Sequence, residues 1–129
     1  MRIEHAVEAL HQVAAAHGTL RLLLLYGSRA RGDAHHASDW DVGYLADSEI
    51  DHLGLLHEIT SALRTDAVDL TDLERASGLL RFRAASEGTV AFEGSPGVHD
   101  AFALAAALHW YDVQPIVQQA HDDVLTRMP

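Results

Sequence analysis

The sequence predicts a small α/β fold, a mixed β-sheet with helices packed on one face and a long C-terminal helix after it. Three observations lead there. Apolar residues recur at helical spacing near both ends of the chain. Between them lie runs of strand length, either wholly apolar or alternating. These elements follow one another as helix, strand, strand, helix, strand, helix, strand, helix, an order that suits one layer of helices on one sheet.

The first helix is read from Ile3, Ala6, Val7, Leu10, Val13 and Ala14, with Gly18 as its stop. "TLRLLLLY" (19–26) is a continuous apolar run, as expected of a strand buried on both faces. Gly27, Gly32 and the polar residues between them make a turn or a short helix start. "SDWDVGYL" (38–45) alternates, with Trp40, Val42 and Tyr44 on one side and Asp39, Asp41 and Gly43 on the other. Ser48 with Asp51 resembles a capping box ahead of a helix through Leu53, Leu56, Ile59 and Leu63. "AVDLTDL" (67–73) is a third strand, residues 77–87 a helix ending at Gly88, and "TVAFE" a fourth strand. After the "GSPG" linker (94–97) a last helical pattern runs from about 98 to 127 through Phe102, Ala106, His109, Val113 and Val117. Pro115 is placed to kink or divide it. We expect one domain over 1–129, with its core at about 19–93 and a C-terminal helical segment at about 98–127.

Composition narrows the function. The 129 residues include no cysteine, which excludes disulfides and thiolate metal sites. Neither a signal peptide nor a run of ~20 apolar residues is present, so a cytoplasmic protein with no membrane segment is expected. Against 19 acidic residues stand 9 basic ones, all of them arginine, for a formal charge of −10. Such a surface repels a phosphate backbone and argues against sequence-specific nucleic-acid binding. It still admits a single nucleotide held through metal ions, which reverse the local charge.

Strand parity then gathers Asp39, Asp41 and, on the next strand, Asp69 on one open face. Same-face positions on a strand lie roughly 6.5–7 Å apart, so the carboxylates can lean toward a common ion. Three unpaired anions would repel one another, and with oxygen ligands alone the natural counterion is Mg²⁺, or Mn²⁺. Gly27 lets the backbone approach a phosphate, Ser28 offers hydroxyl and N–H donors, and Arg29 or Arg31 can balance the remaining charge. The chemistry implied is transfer of a nucleotidyl group from a nucleoside triphosphate, with Asp69 nearest the acceptor's proton. Asp66 and Asp72 share the parity of Val68 and Leu70 and are set aside.

"GS", ten residues and "DWD" match the GS-x10-D-x-D signature of the polymerase-β-like nucleotidyltransferases. The wider "YGSRARGD…SDWDVGYL…AVDLTDLERAS" resembles the minimal MNT-type members over roughly residues 20–93. The resemblance implies that Gly27 and Ser28 hold the triphosphate, that Asp39 and Asp41 bind Mg²⁺, and that Asp69 completes the triad. It further implies an antitoxin that transfers AMP from ATP to a tyrosine of a HEPN-domain ribonuclease toxin. Two alternatives are kept: an antitoxin that neutralises by binding alone, and transfer to a small hydroxyl compound such as an aminoglycoside. "HHA" (35–37) and Trp40 depart from the pattern without removing a catalytic group. His35 and His36 read as exposed loop residues, "RGD" (31–33) as chance, and Leu104, Leu108 and Tyr111 as a candidate partner or homo-oligomer surface.

Overall fold

The computed structural model describes residues 1–32 and 38–127, with side chains up to Asp112. His35 and His36 therefore lie outside the described residues, as does the side chain of Pro115 on which the expected kink turns. The elements are α1 (Ile3–Ala15), β1 (Leu20–Tyr26), α2 (Ser28–Arg31), β2 (Trp40–Ala46), α3 (His52–Leu63), β3 (Val68–Asp72), α4 (Gly78–Glu87), β4 (Thr89–Glu93) and α5 (Val98–Arg127). Their order and limits follow the sequence reading closely.

The sheet runs β3-β2-β1-β4 and is mixed, with β1 antiparallel to both β2 and β4, and β2 parallel to β3. β1 is central because it is apolar on both faces. Leu22, Leu23, Leu24 and Leu25 are all fully buried, and each such side chain contributes about 1.5–3 kcal/mol relative to exposure. Leu23 and Leu25 join Trp40, Val42, Tyr44 and Leu70 against Leu10 of α1 and Leu55 and Ile59 of α3. Leu22, Leu24 and Tyr26 face the opposite way, toward Ala84 of α4 and Phe102 of α5.

That second layer refines the expected architecture. α1 and α3 form the predicted one-sided helical layer, while α4 and the start of α5 cover part of the other face. The reason is visible in β1, whose second apolar face would otherwise meet water. The part left uncovered is the end of the sheet that carries Asp41 and Asp69.

Two details of the sequence reading change. Helix α3 is capped by Asp51, whose Oδ1 accepts from the Gly54 N–H at 3.0 Å, and Ser48 takes no part in the cap. An aspartate one residue before the helix satisfies an orphan donor directly, so no box is needed. Helix α1 ends at Ala15, capped by Ala16 in a right-handed conformation, and Gly18 keeps a negative φ. Leu104, Leu108 and Tyr111 are exposed, as the sequence places them.

Gly43, opposite Leu24 in the sheet, has a packing reason for lacking a side chain. A Cβ there would come within 2.8 Å of Leu73 Cδ2 and 2.9 Å of its Cγ, and Leu73 is fully buried. Gly43→Ala is expected to cost about 1–3 kcal/mol by overpacking, measured as a lower urea midpoint with an unchanged m-value.

Candidate active site

The site begins at the end of β1. Tyr26 is the register partner of Asp41, and Asp41 in turn pairs with Asp69 across the parallel β2–β3 ladder. The three residues thus form a row across neighbouring strands, roughly 4.8 Å between strands, on the face that α4 only partly covers. Thr71, two positions beyond Asp69, accepts a long 3.5 Å hydrogen bond from the Tyr26 hydroxyl.

Immediately after Tyr26 the chain turns at Gly27, with φ 77° and ψ −160°, a conformation open essentially to glycine alone. The turn leads into α2, closed by Arg31 N–H donating to Gly27 O and Gly32 N–H donating to Ser28 O, both at 3.0 Å. Gly32 ends it in the left-handed region at φ 83°. The turn sits directly under the Asp41 carboxylate, since a Cβ on Gly27 would lie 2.1 Å from Asp41 Oδ2. Glycine is needed there for both backbone and space.

These parts enclose a cavity of about 310 Å³ lined by Tyr26, Gly27, Ser28, Arg31, Asp41, Asp69, Leu80, Arg83 and Glu87. A somewhat larger one, about 370 Å³, lies at the other end of β2 among Tyr44, His52, Asp72 and Arg75. Size does not decide between them. Only the first combines two carboxylates on adjacent strands with a glycine turn and uncommitted cationic charge.

The electrostatics are those of crowded anions. Burial first, then the Asp69 charge, then the Asp39 charge push the Asp41 carboxyl above its ordinary range, and Arg31 and Arg83 pull it back. Burial likewise raises the Tyr26 phenol; the Thr71 hydrogen bond opposes this and the charges of Asp41 and Asp69 add to it. Such mutual repulsion is what a divalent cation would relieve, and the donors are all oxygen, as Mg²⁺ prefers. The residues present fit that group.

The predicted residues divide in three. Gly27, Ser28, Arg31, Asp41 and Asp69 meet in the cavity. Asp39 does not line it; the residue is exposed, just before β2 begins, and reaches Asp41 through its charge. Among the described residues no three His, Asp or Glu side chains are grouped to hold a metal. Arg29 is turned to another task. Its Nε and Nη2 donate to Ser38 O at 3.1 and 2.9 Å, and its guanidinium lies 4.5 Å from the centre of the Trp40 ring. Arg29 thereby ties α2 to the start of β2, which positions the turn rather than lining the cavity.

Besides Tyr26 at the end of β1, three lining residues were not anticipated: Leu80, Arg83 and Glu87, all on α4. Their i, i+3, i+7 spacing marks one helix face, and that was the available signal. Glu87 accepts from Arg31 Nη1 at 3.0 Å, linking α4 to α2.

The family described as polymerase beta, nucleotidyltransferase matches residues 8–96. This chain belongs to that family. Among curated proteins, the protein adenylyltransferase MntA of Shewanella oneidensis is 32% identical over 109 residues, 82% of this chain and 77% of that protein. The MntA of Aphanizomenon flos-aquae is 30% identical over 110 residues, 75% of this chain and 73% of its own length. Among solved structures, a toxin–antitoxin complex with AMP-PNP superposes with a TM-score of 0.79 at 28% identity, covering 92% of this chain and 98% of the other. A tri-AMPylated Shewanella oneidensis HEPN toxin in complex with MNT antitoxin contains a chain with a TM-score of 0.74 at 26% identity, covering 97% and 99%. No helix among the described residues of this nucleotidyltransferase is long and apolar enough to cross a membrane.

Proposed function

We propose that this nucleotidyltransferase is a protein adenylyltransferase and antitoxin, which transfers AMP from ATP to a tyrosine of a cognate HEPN-domain toxin. The observation that carries the reading is the Asp41–Asp69 pair facing the Gly27–Ser28 turn across one open cavity. The MntA relatives, and the AMP-PNP and tri-AMPylated complexes among the structural neighbours, support the donor and the acceptor.

In the reaction the acceptor's hydroxyl oxygen attacks the α-phosphorus of ATP. An O–P bond forms, the bond from the α-phosphorus to the bridging oxygen breaks, and pyrophosphate leaves with that electron pair. The hydroxyl proton passes to a carboxylate, for which Asp69, exposed at the mouth of the cavity, is best placed. Gly27 and Ser28 receive the phosphates with backbone and hydroxyl groups, and Arg31 offers its guanidinium once the anion competes with Glu87. Magnesium, or manganese in its place, held by Asp41 and Asp69, the two carboxylates that line the cavity, would supply the charge that neutralises the phosphates. An acceptor borne by a second protein also accounts for a cavity with one wall missing. The reaction draws on ATP and Mg²⁺, which are those of the cytoplasm.

The test is to incubate the chain with a cognate HEPN-domain protein, ATP and Mg²⁺, and to weigh both intact proteins. One or more AMP increments on the HEPN tyrosine, absent with Asp41→Asn, is the expected result. Neutralisation of the toxin with no mass change, or by the Asp41→Asn variant equally well, rules the reading out. Consumption of ATP only with an added small hydroxyl compound does the same.

A further inference from the structure

The arginines near the cavity differ in what already holds them. Arg31 is engaged by Glu87 at 3.0 Å, and Arg29 by Ser38 O and the Trp40 ring. Elsewhere Arg21 pairs with Asp47, Arg75 with Asp72, and Arg81 lies over Phe102. Arg83 lines the cavity, and no hydrogen bond, ion pair or ring contact to another described residue is made by it. Its charge is nonetheless, with that of Arg31, one of the two cationic charges that bear on Asp41. An uncommitted guanidinium facing two carboxylates from across an open cavity is placed for an anion that arrives later.

Charge points the same way. The lining holds Asp41, Asp69 and Glu87 against Arg31 and Arg83, an excess of acid before any ligand enters. A triphosphate adds several negative charges, and this chain has no lysine to meet them. Guanidinium is the group that matches phosphate oxygens in a bidentate fork, and it loses less on desolvation than an ammonium.

The scaffold under Arg83 is firm. Ala84, the next residue, is fully buried against the second face of the sheet, Leu80 packs there one turn earlier, and Ser77 caps the helix by accepting from Leu80 N–H at 3.2 Å. The backbone at Arg83 is therefore held, while its side chain is exposed and can close on a ligand.

We propose that Arg83 anchors the two outer phosphates of the nucleoside triphosphate and offsets the charge that grows on pyrophosphate as it leaves. The inference rests on the nucleotidyltransferase reading above. The α-phosphorus must lie at the carboxylates, where the acceptor attacks. What trails from it toward the α2–α4 wall, between Ser28 and Arg83, is the β,γ end. Arg83 then distinguishes a triphosphate from a monophosphate, and Glu87, by holding Arg31, leaves Arg83 the first cation to be met.

Calorimetric titration with Mg²⁺ and inorganic tripolyphosphate, AMP-PNP or AMP tests this on the wild type, Arg83→Ala and Arg83→Lys. Arg83→Ala is expected to weaken tripolyphosphate and AMP-PNP by about ten- to a hundredfold, the range for hydrogen bonds to a charged group, and to leave AMP unchanged. Arg83→Lys is expected to recover part of the loss, and both variants to melt with the wild type because residue 83 is exposed. A wild-type chain that binds AMP-PNP, with an Arg83→Ala variant that binds it equally, overturns the inference alone. Weaker AMP with unchanged tripolyphosphate overturns it too, by assigning Arg83 to the base. A wild-type chain that ignores AMP-PNP removes the nucleotidyltransferase reading and this inference together.

Discussion

Asp41→Asn is expected to lower AMP transfer about 10³-fold or more while leaving the protein folded. Several kcal/mol of transition-state charge stabilisation depend on the carboxylate pair, and each 1.36 kcal/mol is a factor of ten in rate. Asparagine keeps the size of Asp41 against Gly27 and removes only its charge, so the effect is chemical rather than steric. Single-turnover transfer, followed by intact mass, measures it. Activity within tenfold of wild type would show that the Asp41–Asp69 pair is not the reacting centre.

The same substitution carries a second, opposite consequence. Burial, Asp69 and Asp39 hold the Asp41 carboxyl above its usual 3.8, so the folded protein takes up this proton more readily than the unfolded chain. Stability linked to Asp41 is therefore gained as pH falls through the raised folded value, and is lost again as pH rises through it. Without metal, Asp41→Asn should melt slightly higher than wild type near pH 7. This difference should shrink toward about pH 4, where the wild-type carboxyl is increasingly protonated. Adding Mg²⁺ should raise the wild-type melting temperature and move the variant much less. A site built for function commonly gives up stability in this way.

Gly27→Ala is expected to be the most damaging exchange of a glycine in the turn. Two independent costs meet there. The φ of 77° with ψ −160° adds about 1–3 kcal/mol of backbone strain for any other residue. The new methyl, 2.1 Å from Asp41 Oδ2 and 3.0 Å from its Cγ, must also displace the carboxylate or the turn. Stability should fall by about 2–5 kcal/mol from strain and overpacking together, and transfer should drop even where the protein still folds. Gly32→Ala is the control: its φ of 83° is also left-handed, but nothing lies within 4 Å of the new Cβ. About 1–2 kcal/mol of strain and near-normal transfer are expected there. Equal loss of transfer in both variants would mean that strain in the turn, and not the fit between Gly27 and Asp41, sets the activity.

Much of the site is legible in the sequence. Two-residue periodicity put Asp41 and Asp69 on one face of the sheet because side chains on a strand must alternate, whatever the strand packs against. The apolar run at 20–26 became the central strand for the same reason, having no polar face to give to solvent. Arg83 and Glu87 were not legible, because charged residues on a helix face point to solvent by default. Only the docking of α4 on the second face of β1 turns them toward Asp41. Arg29 was misleading: a cation two residues after the glycine of the turn is equally suited to holding a carbonyl and a tryptophan ring.

The sequence by itself determined the order of elements, the buried spine of the sheet and the pairing of carboxylates with a glycine turn. All of these follow from local periodicity and from the conformations open to glycine. Tertiary structure alone decided which arginines face the cavity, why Gly27 and Gly43 must lack side chains, and where the sheet stays uncovered. Those outcomes depend on contacts between residues far apart in the chain, whose distances no local pattern encodes.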